Sequence, residues 1–214
     1  MKAIVPSESS RRFTETASKL YHDQLDAEAL AYLTGPERLL SEEAVAKYRL
    51  GVVRSPEPGH EAVRGYLSIP YLTPDGECIS IRFRRLGDGD GPKYRSIAGD
   101  IPRLYGAEAV LRGTRNICAT EGEFDRLVAD MCGLPAVGIP GATSWNPIWR
   151  RLLVQFDSIF ILHDDDEPGR ELVAKVANSG LDNVRPIPMT GGDVTSFVRD
   201  HGKEGLWRKL GIRA

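Results

Sequence analysis

The chain has 214 residues, of which 41% are apolar and 27% are charged, and its formal net charge is −2. This composition excludes an intrinsically disordered chain, and no run approaches the roughly 18 apolar residues that a membrane helix needs. The three cysteines are far apart and form no CxxC pair, so we expect neither a disulfide framework nor a zinc site. Because the first residues lack the apolar core of a signal peptide, we expect a cytoplasmic protein without membrane contact.

Three helices are predicted in the first part of the chain. Apolar residues recur at helical spacing in residues 13–21 and again in 27–32, until Gly35 and the proline after it break the pattern. Ser41 is followed by two glutamates and an apolar series, which is typical of a helix N-cap with acids in the first turn. Gly51 is the predicted end of this third helix.

A β-hairpin is predicted next. Residues 66–72 and 78–84 are rich in β-formers, and the turn sequence Thr-Pro-Asp-Gly at 73–76 separates them. The second strand alternates apolar residues with polar ones that include Arg82 and Arg84, so we expect these arginines on the face away from the core. The surrounding stretch 82–115 holds eight basic and four acidic residues.

After about residue 112 the pattern becomes strand and helix in alternation. Strands are predicted at 116–119, 136–137, 159–162 and 184–187, with helices at 124–131, around 149–153 and at 168–178. Strands that alternate with helices form a parallel sheet through crossover connections. The sequence therefore predicts an α/β fold in this half of the chain.

Acidic residues follow three of these strands. Glu121 comes after the first strand with Asp125 in the following helix, the run 164–166 is all aspartate, and Asp193 follows two glycines after the last strand. Ligands gather at the carboxyl ends of strands in open α/β sheets, so we expect these carboxylates to lie near one another.

Crowded carboxylates of this kind favour a metal site. In an extended chain, Asp164 and Asp166 would point to the same side and Asp165 to the opposite one. Mg²⁺ or Mn²⁺ would offset the repulsion between the carboxylates, and no cysteine or histidine cluster accompanies them. A solvated acidic loop is the alternative for the aspartate run, and a structural salt bridge is the alternative for Glu121.

The order of these acids resembles the Toprim domain that topoisomerases and bacterial-type DNA primases share. The matching residues are Glu121-Gly122-x-x-Asp125, then Asp164-x-Asp166 with Gly169-Arg170, then Gly192-Asp193. The N-terminal half is similar to the RNA polymerase core of bacterial and phage primases. That likeness lies in Tyr32-Leu33, Arg38-Leu39-Leu40-Ser41, Tyr48-Arg49-Leu50-Gly51, Ile69-Pro70, Asp75-Gly76, Phe83-Arg84-Arg85 and Pro92-Lys93-Tyr94-Arg95.

The resemblance implies an α+β N-terminal primase-like subdomain at 1–112 and a Toprim catalytic domain at 113–214 with a mainly parallel central sheet. It implies a nucleotidyltransferase that makes short RNA primers from NTPs on a single-stranded DNA template during DNA replication. Glu121, Asp164 and Asp166 would be the catalytic acids. Together with Asp193 and Asp125 they would hold two Mg²⁺ or Mn²⁺ ions, and no zinc is expected.

The resemblance also implies a basic binding surface. Template or nucleotide contacts carry over to Arg38, Arg85, Lys93 and Tyr94, and Arg84 could exchange roles with Arg85. Arg95 adds a further positive charge, and the Tyr94 ring could stack on a base. Such binding should weaken steeply as salt is added.

The sequence departs from the family at one predicted ligand. The family usually has a second acid two positions after Asp193, where this chain has Thr195. A non-catalytic nucleic-acid-binding subunit of a split primase therefore stays an alternative. A Toprim-type nuclease is a second one, because the same carboxylate cluster can support metal-dependent phosphodiester hydrolysis. The family's zinc-binding domain and a helicase P-loop are also not found, so we expect a replicative helicase or a separate zinc-binding subunit as partner, in a phage-type system.

Overall fold

The computed structural model describes residues 6–88, 90–97, 99–141 and 143–212. It consists of two compact units: the first runs up to Gly35 and resumes at Leu40–Ile101, and the second comprises Pro36–Leu39 and the chain from Pro102 onward. The predicted domain boundary at 112/113 stays a prediction.

Three helices open the first unit: α1 (Glu8–Asp23), α2 (Ala27–Thr34) and α3 (Glu42–Lys47). The Ser41 side chain accepts a hydrogen bond from the Ala44 N–H, so the predicted N-cap of α3 is confirmed. The predicted end at Gly51 is wrong, because α3 ends at Lys47 and Gly51 starts a strand. A Cβ at position 51 would lie 2.2 Å from the Tyr21 carbonyl oxygen, so this glycine allows α1 to approach closely.

An antiparallel sheet completes the first unit. Its strands are β1 (Gly51–Val52), β2 (Tyr66–Leu72), β3 (Cys78–Arg85) and β4 (Tyr94–Ser96), which neighbour one another in that order. A 3₁₀ helix at Glu61–Val63 precedes β2. The predicted hairpin is confirmed, since β2 and β3 pair antiparallel with Ile69 opposite Arg82.

The burial of β3 differs from the predicted alternation. Ile81 and Phe83 are in the core, but Ile79 is only half-buried, and Ser80 and Arg84 are both buried. Aromatic residues of the same unit cover part of the second face, so the prediction that Arg84 lies on an open face is wrong.

The second unit is built on a parallel sheet. Its strands are β5 (Asn116–Glu121), β6 (Ala136–Ile139), β7 (Ser158–Asp164) and β8 (Val184–Met189), in the order β6-β5-β7-β8. All three pairings are parallel, which confirms the predicted α/β arrangement. The helices are α4 (Glu123–Met131), α5 (Arg150–Leu153), α6 (Glu167–Ala177) and α7 (Val194–Lys209), with 3₁₀ turns at Ala107–Leu111 and Pro147–Trp149.

The core of the second unit lies on this sheet. Ile117, Ala119, Ile159 and Ile161 of the two central strands are fully buried and pack with Leu172 of α6. Strands covered on both faces carry near-continuous apolar runs, which is why β5 and β7 were recognisable in the sequence. Helix α7 was not predicted; its chain is broken at Gly202, where φ is +70°.

The described part of the chain contains no helix long and apolar enough to cross a membrane. All three cysteines are buried free thiols. Burial raises the pKa of Cys78 and of Cys118 to about 12.

Candidate functional site

An open cleft of about 640 Å³ lies where β7 and β8 end in the second unit. Its lining combines carboxylates, hydroxyls, two glycines and two guanidinium groups. The lining residues are Glu37, Arg38, Asp164, Asp165, Asp166, Gly191, Gly192, Asp193, Thr195, Ser196 and Arg199. The structure thus brings four of the predicted site residues, Arg38, Asp164, Asp166 and Asp193, to one place.

The aspartate run turns sharply at the end of β7. The strand ends at Asp164, and Asp166 is already the N-cap of α6, where its Oδ1 accepts the Gly169 N–H at 2.8 Å. The expectation that Asp165 points away is wrong, because a bend replaces the extended chain and all three aspartates line the cleft. Asp165 lies 3.4 Å from Nη1 of Arg170.

Gly169 is what lets α6 begin so close to the strand. A Cβ at position 169 would lie 2.2 Å from the Asp164 carbonyl oxygen, a distance that no side chain tolerates. The glycine at position 169 is therefore required by the close packing of α6 against the end of β7.

The other wall of the cleft is the turn from β8 into α7. Gly191 and Gly192 have φ values of +89° and +156°, and Asp193 follows as the N-cap of α7. Asp193 Oδ1 accepts the Ser196 N–H at 2.8 Å, while Ser196 Oγ accepts the Asp193 N–H at 2.9 Å. This reciprocal capping box fixes the position of Asp193 at the N-terminus of α7.

Asp125 is not a lining residue of the cleft, but it is hydrogen-bonded to Thr195, which is. Its Oδ1 accepts the Thr195 N–H at 3.0 Å and the Thr195 hydroxyl at 2.9 Å. Burial raises the pKa of Asp125 to about 7; the charges of Asp193 and then Asp164 act in the same direction, and the Thr195 hydrogen bonds act against it. The carboxylates of Asp193 and Asp164 are therefore close enough to Asp125 to repel its negative charge.

Glu121 is placed differently from the aspartates. It ends β5, pairs in register with Ile139 of β6, and is half-buried. It is not among the described residues that line the cleft, although β5 is the direct neighbour of β7. Gly122 follows with φ +116°, a conformation that explains the glycine after this acid.

Two arginines bring positive charge to the cleft. The Arg38 guanidinium lies 4.9 Å from the centre of the Phe124 ring, and its Nη1 donates to the Glu37 carbonyl oxygen at 3.0 Å. Arg199 is exposed and pairs with Asp200 at 2.9 Å. The sequence analysis missed Arg199 and Ser196, although their spacing from the Asp193 N-cap places them on the first turns of one helix.

The cleft suits a hard cation through its donor set. As the side chains stand, no three His, Cys, Asp or Glu residues in the described ranges are grouped closely enough to hold a metal ion alone. Mg²⁺ in phosphate-transfer sites is commonly bound by one or two carboxylates plus water and substrate phosphates. The carboxylate and hydroxyl oxygens of the lining, and the negative charge that Asp193 and Asp164 place near buried Asp125, fit such an ion.

The basic residues of the first unit form a separate group around Tyr94. Arg82 and Arg84 of β3 lie 4.3 and 5.1 Å from the centre of the Tyr94 ring. Arg84 also donates to the hydroxyls of Tyr94 and, at 3.3 Å, of Tyr32. The Tyr94 ring that was expected to stack on a base is thus already in contact with two guanidinium groups.

The remaining predicted contacts differ in exposure. Lys93 is exposed just before β4, and Arg85 donates to the carbonyl oxygens of Gly87 and Gly91. The Arg95 guanidinium lies 6.0 Å from the centre of the Tyr66 ring. Of this group, Lys93 has its side chain most clearly in solvent.

Comparisons with known proteins give a sequence relative and several solved structures of one fold. No protein-family model matches the chain. The Gene 57 protein of Mycobacterium phage D29 is 45% identical over 152 residues, which cover 69% of this chain and 99% of that protein. The Aquifex aeolicus primase, comprising zinc-binding and RNA polymerase domains, superposes with a TM-score of 0.82 at 21% identity, over 95% of this chain and 60% of that one.

A DnaG primase catalytic domain bound to ssDNA superposes with a TM-score of 0.79 at 20% identity, over 95% of this chain and 81% of that domain. The present chain thus spans less than two thirds of the Aquifex protein but most of this catalytic domain. The chain belongs to the family of the Gene 57 protein of phage D29, and it has the fold of the DnaG-type primase catalytic core.

Proposed function

We propose that this chain is the catalytic core of a phage-type DNA primase, which joins NTPs into short RNA primers on single-stranded DNA. The observation that carries the proposal is the cleft at the ends of β7 and β8 in a primase-core fold. Three acids and Arg38, all expected from the sequence, line this one cleft.

Asp164, Asp166 and Asp193 would share a divalent cation there with water and substrate phosphates, and Glu121 would be a further acid at the same edge of the sheet. Bound Mg²⁺ or Mn²⁺ would supply charge neutralisation at the phosphates and activation of the attacking 3′-hydroxyl. The capping bonds of Asp166 and Asp193 orient both carboxylates before any ligand arrives. In this proposal the pocket contributes mainly positioning.

Arg38 and Arg199 would bind the negative oxygens of the incoming triphosphate. A guanidinium group forms paired, charge-assisted hydrogen bonds with phosphate. The contact of Arg38 with the Phe124 ring limits the directions in which its side chain can point.

The basic group of the first unit would contact the DNA template or nucleotide. A related DnaG catalytic domain is bound to ssDNA, which supports a DNA template for this chain. Lys93, Arg85 and Arg95 would contact phosphates, and Arg84 would do so from beside Tyr94. We propose that a replicative helicase or a separate zinc-binding subunit selects the priming site, and co-purification of the chain from infected cells tests this partner.

Primer synthesis is the direct test. Purified chain is incubated with single-stranded DNA, labelled NTPs and Mg²⁺ or Mn²⁺, and wild type is compared with the double variant Asp164→Asn/Asp166→Asn. Asparagine caps helices as well as aspartate does, so this variant removes charge while keeping the bond to the Gly169 N–H. Asp182→Asn, at an exposed turn away from the cleft, is the matched control.

The proposal predicts short RNA products from wild type and from the control, with loss of about 100-fold or more in the double variant. Metal-dependent loss of template without products would instead indicate a nuclease. Neither activity, combined with retained DNA binding, would indicate a non-catalytic subunit.

A further inference from the structure

Two hydrogen bonds from Thr195 of α7 to one carboxylate oxygen of Asp125 join α7 to α4. The Thr195 hydroxyl and amide both donate to Oδ1 of Asp125, at 2.9 and 3.0 Å. Thr195 is 2% exposed and Asp125 is 8% exposed. Bonds between buried groups are costly to break, because the donors left behind find no water.

This link belongs to the part of α7 that borders the cleft, since Thr195 is itself a lining residue. Thr195 is two residues after Asp193 and four before Arg199, and both of these line the cleft. The chain enters α7 through Gly191 and Gly192, and glycines restrict the backbone least. The position of Asp193 is therefore set mainly from the helix side, by its capping box and by the Thr195 anchor.

A threonine is favourable at position 195 because it donates hydrogen bonds to the buried carboxylate of Asp125. An acid at position 195 would add a further negative charge next to a buried carboxylate that Asp193 and Asp164 already repel. The threonine hydroxyl and amide instead stabilise the charged form of Asp125. The residue that departs from the family pattern thus has a defined contact of its own.

We propose that Thr195 and Asp125 are a positioning pair that holds the start of α7, and thereby Asp193, in the place where the divalent cation binds. The pair acts through Asp193 and touches neither cation nor substrate. This inference rests on the proposed cation site of the primase. The general expectation for residues that orient a metal ligand is a loss of about 10-fold or more in metal affinity on substitution.

Mn²⁺ binding to the full chain, measured by electron paramagnetic resonance without nucleotide, tests the pair. Thr195→Val keeps the size and the amide donor but removes the hydroxyl, and should weaken Mn²⁺ binding about 10-fold. Thr195→Ser restores the hydroxyl and should bind within about twofold of wild type. Thr14→Val is the matched control, because Thr14 is also buried and its hydroxyl donates to the Ser10 carbonyl oxygen in the other unit.

Hydrogen exchange of residues 193–199 is measured on the same samples. Faster exchange there in Thr195→Val, with unchanged exchange at 206–209, supports the anchor. The positioning role of the pair is refuted if Thr195→Val binds Mn²⁺ as tightly as wild type, or if Thr195→Ser loses as much Mn²⁺ affinity as Thr195→Val. Neither result would contradict the primase proposal. If wild type binds no Mn²⁺, the cation site and the pair fail together, and the primer assay then decides the function separately.

Discussion

Replacing Asp125 by asparagine should make the second unit more stable at alkaline pH. The pKa of Asp125 is raised from 3.8 to about 7, first by burial and then by the charges of Asp193 and Asp164. The folded state therefore binds this proton more tightly than the unfolded chain. The stabilisation is complete below the unfolded pKa and is lost as the pH rises through about 7.

The size of the effect follows from the two pKa values. Each pH unit between them corresponds to about 1.4 kcal/mol, so the full loss is about 4 kcal/mol, of which about 3 kcal/mol develops above about pH 5. Asparagine keeps the carbonyl oxygen that accepts both Thr195 hydrogen bonds but carries no charge. Relative to wild type, the variant should gain about 3 kcal/mol in free energy of unfolding from about pH 5 to about pH 8.

Urea denaturation in the presence of a chelator, followed by tryptophan fluorescence, measures this difference. All three tryptophans, Trp145, Trp149 and Trp207, belong to the second unit with Asp125. Added Mg²⁺ should shrink the difference, because a cation among the carboxylates favours the charged form of Asp125. If the difference in free energy of unfolding between wild type and Asp125→Asn stays constant across this pH range, the reasoning is refuted. Asp182→Asn is the control, and its difference from wild type should not change with pH.

Three further predictions concern other sites. Gly169→Ala should lower the free energy of unfolding by about 2 kcal/mol and lower primer synthesis, since the new Cβ would meet the Asp164 carbonyl oxygen; unchanged denaturation curves would contradict this. Burial lowers the pKa of His60, so wild type should lose stability as the pH falls below the ordinary histidine pKa. His60→Phe should flatten that dependence in urea titrations, and an equal slope in both proteins would exclude His60 as its source. Lys93→Gln should weaken binding to single-stranded DNA and reduce the salt slope by about 0.7, whereas Lys175→Gln, which breaks a helix-surface pair with a glutamate, should change neither in fluorescence anisotropy.

The elements of the second unit were predictable because their signals are local. Strands β5 and β7 are buried on both faces and carry continuous apolar runs. Helix α7 was missed because Gly202 interrupts its pattern, although Asp193 and Ser196 have the spacing of a capping box.

The candidate site was predictable only in part. Acids after strands indicate a shared edge of the sheet, and this placed Asp164, Asp166 and Asp193 together. The bend after Asp164 and the bond between Thr195 and Asp125 depend on how helices pack against the sheet. Residues 70 positions apart cannot be paired from the pattern of one sequence.

The contacts of Arg84 have a consequence for the entropy of any binding event at the first unit. Its guanidinium is already held by the hydroxyls of Tyr32 and Tyr94, and the residue is only 9% exposed. Much of the rotamer freedom that an arginine loses on meeting a phosphate is thus removed during folding. Lys93, whose side chain is in solvent, must give up that freedom on binding. For the same number of phosphate contacts, Arg84 would therefore contribute more binding free energy than Lys93, because its side chain loses less conformational freedom on binding.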